Sequence, residues 1–167
     1  MAARILVAYT TRKGSTADIA LAIARELEKS GATVTVSDIA TVSSLEGYTG
    51  VVVGTPVYTG KVSGDVGAFA ARFKDQLPRV PVAGFVTGIA PVYPKTGDVS
   101  VFTGQLAEAL APIKPVAIAM FAGKLDAGRL SLIERGMTAL LKVPTGDFRD
   151  WAAIAAWARE LPAKMGF

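Results

Sequence analysis

Three side chains are missing altogether: the 167 residues include no cysteine, no histidine and no asparagine. Without cysteine the chain forms no disulfide and offers no thiolate to a metal or an electrophile. Without histidine it has no imidazole base and no Ser-His-Asp triad. Zinc or iron would have to be held by carboxylates alone, donors that suit those metals poorly, so no metal site is expected. Any redox chemistry then falls to a bound organic cofactor. Charge is sparse too. Charged residues are 19% of the chain, 18 Lys and Arg against 14 Asp and Glu, for a formal charge of +4. That balance suits anionic ligands, acidic partners or anionic membrane surfaces, and is too diffuse for nucleic acid. Long hydrophobic runs are absent as well. No stretch reaches the ~18 apolar residues of a membrane span without a charge. The first apolar run, Ile5 to Tyr9, is short and ends in a Gly- and Thr-rich turn, so it reads as a buried strand and not as a leader. The expected location is the cytoplasm.

What is present is apolar and regularly punctuated. Hydrophobic residues make up 51%, and the mean hydropathy of +0.40 argues for a packed core over disorder. Apolar runs at Ile5–Tyr9, Thr33–Ser37, Gly50–Gly54, Val82–Thr87 and Pro115–Phe121 predict strands buried on both faces. Between them lie helical patterns. Ser15–Lys29 aligns Ile19, Ala20, Ile23, Ala24 and Leu27, opens on a Ser15/Asp18 pair resembling a capping box, and is stopped by Gly31. Gly64–Leu77 aligns Val66, Phe69, Ala70, Phe73 and Leu77, and Val101–Leu110 forms a third helix. A last helix over Phe148–Leu161 is expected to start at Asp147 and Asp150 and to bury Trp151, Ile154, Ala158 and Leu161. Trp151 and Trp157 read as its core anchors, and Arg149 has no evident partner. Strand and helix alternate throughout, which predicts an α/β fold with a parallel sheet and right-handed crossovers. With no repeat, low-complexity tract or linker, residues 1–167 read as a single domain.

One segment exceeds that pattern. About 25 residues, Lys124 to Arg149, separate the fifth strand from the last helix, more than a βα connection needs. Leu130, Ile133, Met137, Leu140 and Leu141 form a helical stripe there, flanked by Arg129, Arg135 and Lys142, with Gly136 weakening the helix. Such an amphipathic stretch packs on its own body, pairs with a second copy, or lies on a partner or an anionic membrane through residues 129–142.

The first strand runs straight into Thr10-Thr11-Arg12-Lys13-Gly14-Ser15-Thr16 and then a helix. A helix start offers free N–H groups and a positive dipole end, so an anion fits there. Gly14 lets the backbone wrap closely, Thr10, Ser15 and Thr16 supply hydroxyls, and Arg12 or Lys13 adds charge. The spacing is neither Gly-x-x-x-x-Gly-Lys-Ser/Thr nor Gly-x-Gly-x-x-Gly. It suits a compact monophosphate, or it is a polar turn ahead of a capped helix.

On these residues the chain resembles the flavodoxin-like family, whose first loop reads roughly Thr/Ser-x-Thr-Gly-Asn-Thr and binds the FMN phosphate. Here Lys13 stands for the family's Thr and Ser15 for its Asn. The resemblance implies a flavodoxin-like three-layer sandwich with a five-stranded parallel sheet of order 2-1-3-4-5 and a helical insertion, about 124–149, before the last helix. It implies FMN as cofactor, with the flavin carrying the chemistry and no side chain catalytic. The phosphate role carries over to Thr10, Arg12, Lys13, Gly14, Ser15 and Thr16. Thr55, Pro56, Val57, Tyr58, Thr59 and Gly60 stand where the family places its first ring loop, and Gly60 matches the glycine whose peptide meets the flavin. Thr87, Gly88, Ile89 and Tyr93 stand in the second ring loop. All three loops follow strand ends at the switch point of the sheet. Tyr58 and Tyr93 are candidates to stack on a flat ring, or pack on neighbours as loop tyrosines do.

Small flavodoxins are usually acidic, and this chain is basic. The order Ala122-Gly123-Lys124-Leu125, an apolar basic stretch, then Pro144-x-Gly146-Asp147-x-Arg149-Asp150-Trp151 is similar to a branch that includes menaquinone-dependent protoporphyrinogen dehydrogenase. That likeness implies electron transfer through FMN to a quinone at the membrane. Three readings stand: an FMN electron carrier serving a redox partner protein, a quinone-linked FMN dehydrogenase, and a flavin-free interaction module, each as monomer or homodimer. A phosphoacceptor receiver of the same topology needs an acidic cluster at the strand ends, and Tyr9-Thr10-Thr11 and Gly54-Thr55 do not supply one.

Overall fold

A computed structural model describes residues 3–11, 14–125, 136 and 146–167. Arg12 and Lys13 lie outside the described residues, as do the stripe at Leu130, Ile133, Met137, Leu140 and Leu141 and its flanking Arg129, Arg135 and Lys142.

Five strands, β1 (Arg4–Tyr9), β2 (Thr33–Asp38), β3 (Gly50–Tyr58), β5 (Val82–Gly88) and β6 (Ala117–Ala122), form the parallel sheet. Their order is β2-β1-β3-β5-β6, the 2-1-3-4-5 topology expected from the sequence. Ile5 pairs with Gly50 and Tyr9 with Gly54, while Val51 to Pro56 pair with Val82 to Thr87.

Alternate strand residues feed two cores. Leu6, Ala8, Val51, Val53 and Val86 face α2 (Gly64–Arg72) and α3 (Val99–Leu110) through Val66, Phe69, Phe102 and Leu106. Ile5, Val7, Val52 and Phe85 face α1 (Ser15–Lys29) and α4 (Trp151–Met165) through Ile19, Ile23, Leu27, Ile154 and Leu161. The result is the three-layer sandwich. β1, α1, β2, β5 and α3 fall within two residues of their predicted bounds.

Other elements depart from expectation. β3 does not stop at Gly54 but runs to Tyr58 and turns back as β4 (Lys61–Val62), an antiparallel hairpin in which Val57 faces Val62. Pro56 is tolerated because β1 ends opposite Gly54 and β4 pairs only from Val57 on, so at Pro56 itself the sole sheet neighbour is β5. α2 ends at Arg72, and Leu77 belongs to a separate helical turn, Leu77–Arg79, although Phe73 and Leu77 are both buried. β6 starts at Ala117 and not at Pro115. α4 starts at Trp151 and not at Phe148, because Asp150 is the cap, its carboxylate accepting the Ala153 N–H at 3.0 Å. Trp151, expected in the core, is 44% exposed on the first helical residue. Trp157 is an anchor as expected, edge-on to Phe121 and Phe85 at 5.6 and 6.3 Å.

The chain leaves β6 into β7 (Lys124–Leu125) and returns in β8 (Gly146–Asp147), two short antiparallel strands.

Candidate functional site

The loops that follow β1, β3, β5 and β6 meet at the carboxyl end of the sheet. α1 begins there on Gly14, whose φ of 84° lies in the left-handed region that glycine enters without a Cβ clash. No side chain caps this helix, so the expected Ser15/Asp18 capping box does not form. The N–H groups of Ser15, Thr16 and Ala17 have no intrahelical acceptor by their position. The Ser15 hydroxyl accepts the Lys124 N–H at 3.0 Å and keeps its own proton to donate. The Gly14 N–H is held by the Thr11 hydroxyl at 3.0 Å.

Beside this helix start lies a cleft of about 520 Å3, lined by Thr10, Thr11, Pro56, Tyr58, Lys61, Val62, Ser63, Gly64 and Asp65. Thr10 is fixed twice, its N–H on the Gly54 carbonyl at 2.9 Å and its hydroxyl on the Asp65 carboxylate at 3.2 Å. Ser63 caps α2 by accepting the Asp65 N–H, and its own N–H donates to the Thr55 hydroxyl. The hairpin tip, Thr59 and Gly60, is exposed and is held from α3 by Gln105.

Not every candidate reaches this cleft. Thr16, 1% exposed, points inward to share a 2.7 Å hydrogen bond with Thr87. Thr55 is buried and donates to the Pro56 carbonyl. Val57 is half-buried against the α2/α3 core. Gly88 accepts the Gly123 N–H, and Ile89 accepts from Val92 and Tyr93, which tightens the neighbouring loop around half-buried Tyr93. Thr10, just past β1, and Pro56 and Tyr58, both on β3, line the cleft. Ser63, Asp65 and Gln105 had no place among the sequence candidates. Only Ser63 and Asp65 carried a signal, a Ser-x-Asp start ahead of an amphipathic helix.

The sequence profile of the flavodoxin domain matches residues 6–151. The chain belongs to the flavodoxin domain family. No relative was found among proteins of curated function. Among solved structures it is similar to the flavodoxin of Streptococcus pneumoniae TIGR4 (15% identity, 97% of this chain and 99% of that chain, TM-score 0.59). It is similar to a Fusobacterium nucleatum flavodoxin bound to flavin mononucleotide (14%, 97% and 98%, 0.56). It also resembles the rubredoxin:oxygen oxidoreductase of Desulfovibrio gigas (17%, 98% of this chain, 0.56), of which it spans 37%. At these identities the likeness is one of fold.

In this flavodoxin domain a second network secures the α1 start. Asp147, expected as a helix cap, instead grips Arg149 in a two-pronged pair of 2.8 and 2.6 Å. The same guanidinium reaches Asp18 in the first turn of α1 at 3.0 Å and lies 4.7 Å from the Trp151 ring centre. The Arg149 side chain is 11% exposed, but Asp147 and Asp18 keep 43% and 59%, so solvent screens both pairs and the two-pronged geometry carries most of their strength. The Phe148 N–H, on the Gly123 carbonyl, closes the same corner.

Hydrogen bonds from Arg149 hold the Asp147 carboxyl at about 2, below its ordinary 3.8. A carboxyl depressed in the folded state contributes stability above its unfolded pKa and loses it as pH falls through the folded one. Asp147→Asn is therefore expected to lower urea stability at pH 7, and the gap to wild type to close between about pH 4 and pH 2. Denaturant melts across that range check this, and a gap independent of pH would refute it.

Proposed function

We propose that the chain binds FMN at the carboxyl end of its sheet and carries electrons through it. The observation behind this reading is the uncapped start of α1 on left-handed Gly14, next to a cleft where Pro56, Tyr58 and Val62 stand among polar side chains. Family membership and an FMN-bound neighbour of the same fold support it.

The donor set fits a phosphate. Three N–H groups and the Ser15 hydroxyl donate, and Gly14 presents no side chain. We assign the phosphate to Thr10, Gly14, Ser15 and Thr16 with Arg12 and Lys13, Thr16 acting through its N–H because its hydroxyl is engaged by Thr87. Thr10 borders the phosphate as part of the loop wall, because its N–H is held by Gly54 and its hydroxyl by Asp65, so the donors to the phosphate are those of the α1 start. The ring is assigned to Pro56, Tyr58, Thr59 and Gly60 and to Gly88, Ile89 and Tyr93, while buried Thr55 and Thr87 and core-packed Val57 support these loops from beneath. Pro56, Tyr58 and Val62 exclude water from a flat ring face. Bound flavin supplies the one- and two-electron chemistry that these side chains lack.

Stripped protein titrated with FMN is expected to quench flavin fluorescence saturably. Riboflavin, which lacks the phosphate, is expected to bind about 10- to 100-fold more weakly, the loss of charge-assisted hydrogen bonds. A colourless protein that ignores FMN would leave the flavin-free interaction module.

A second reading, a quinone-linked FMN dehydrogenase of the protoporphyrinogen type, is favoured by the formal charge of +4 and by the chain order from Ala122 to Trp151. It adds turnover with a quinone acceptor and sedimentation with anionic vesicles, which a carrier does not show.

A further inference from the structure

The cleft wall built by the β3–β4 hairpin stands on two rungs, Val57–Val62 and Tyr58–Lys61. A ribbon this short does not hold its own shape in water. Its turn places Thr59 at φ 50° and Gly60 at φ 79°, successive left-handed residues of the kind a tight hairpin needs. Thr59 is the one non-glycine with positive φ among the described residues, so the turn is kept where its own preferences do not put it. A Cβ on Gly60 would meet nothing within 4 Å.

What fixes this turn is one side chain of α3. The Gln105 carboxamide accepts the Val62 N–H through Oε1 at 2.9 Å and donates through Nε2 to the Gly60 carbonyl at 3.1 Å. The two bonds demand an acceptor and a donor on one planar group, which a carboxamide supplies and a carboxylate or hydrocarbon does not. The chain has no asparagine and one other glutamine, Gln76, so this chemistry is scarce in it.

We propose that Gln105 is a positioning residue for the cofactor cleft, committing the Gly60 carbonyl to α3 and so withholding it from a bound flavin. This rests on the reading that FMN occupies the cleft. Oxidised flavin has no hydrogen on N5, and uptake of electrons with a proton places one there. A carbonyl released from Gln105 becomes an acceptor that favours the reduced ring over the oxidised one. Gln105 therefore holds the potential of the bound flavin down.

The test compares wild type with Q105M, which keeps side-chain length and helix propensity, and with Q105A as a second variant. Amide exchange at Val62 is read by NMR in the FMN-free protein. FMN affinity and midpoint potential are read in the loaded protein, with dithionite as reductant. The expected result is faster Val62 exchange, affinity for oxidised FMN within about threefold, and a rise in potential. A tenfold relative gain for the reduced form corresponds to about 30 mV for a two-electron couple. Unchanged exchange would show that the clamp does not hold the hairpin. Faster exchange with an unmoved potential would reduce Gln105 to a structural prop. Both overturn the proposal while FMN binding stands. Failure of wild type to take up FMN at all overturns the cofactor reading, and this proposal with it.

Discussion

Phe85→Ala is expected to cost about 3–5 kcal/mol of folding free energy, the range for emptying a large aromatic site in a core. Phe85 is fully buried in the middle of the sheet, between Gly54 on β3 and Ala119 on β6. Its ring packs against Phe121 and Trp157, both at 6.3 Å, so it joins the sheet to α4. The same ring explains Gly54. A Cβ built there would lie 2.1 Å from the ring edge, closer than atoms tolerate. Gly54→Ala alone is therefore expected to destabilise by about 1–3 kcal/mol through overpacking. In the Phe85→Ala background the same methyl enters vacated space, and the substitution becomes neutral or stabilising. Urea melts of the four proteins give the coupling, expected to exceed about 1 kcal/mol. Additive costs would show that the ring moves aside without strain.

Thr16→Val is expected to cost about 1–3 kcal/mol, because it strands the buried Thr87 hydroxyl. The two hydroxyls meet at 2.7 Å inside the protein, with Thr16 in the first turn of α1 and Thr87 near the end of β5. Among the described residues every buried side-chain nitrogen and oxygen has a partner, and here each hydroxyl is paired with the other. Thr87→Val is expected to behave alike. The double variant replaces both hydroxyls by methyls of the same shape and is expected to recover most of the loss. Thermal melts decide it. A double variant as unstable as the sum of the singles would mean that each hydroxyl has a second role.

The parts of the fold that were legible in the sequence are those where one local rule acts. The α1 bounds follow from an unbroken stripe, Ile19 to Leu27, between two glycines. The apolar cores of β1, β3 and β5 read directly because both faces are covered. The hairpin was hidden because Thr55 to Tyr58 mix polar residues with a proline, and only the vacant place beside β3 makes Pro56 acceptable. Asp147 and Asp150 both look like caps. The choice between them is made by Arg149, two residues from Asp147, which also pairs with Asp18 from 131 residues away. In the site, Thr10, Pro56 and Tyr58 were visible because they follow the expected strand ends at Tyr9 and Gly54. Asp65 was visible only as part of a helix start and not as a wall of the cleft, and Gln105 was not visible. A lone polar residue on a helix reads as solvated, and their partners lie 55 and 43 residues off.

The two-rung ribbon of β7 and β8 has a consequence for descent. The chain departs at Leu125 and is back at Gly146, its nearest neighbour across the ribbon. Both ends are tied down nearby, Lys124 to Ser15 and Phe148 to Gly123. Closing a loop on such a base costs only about 0.6 kcal/mol for each doubling of its length. The base itself therefore sets only a weak limit on the length of chain between these residues. A descendant with a longer or shorter connection is expected to keep β7 paired with β8 and Lys124 tied to Ser15.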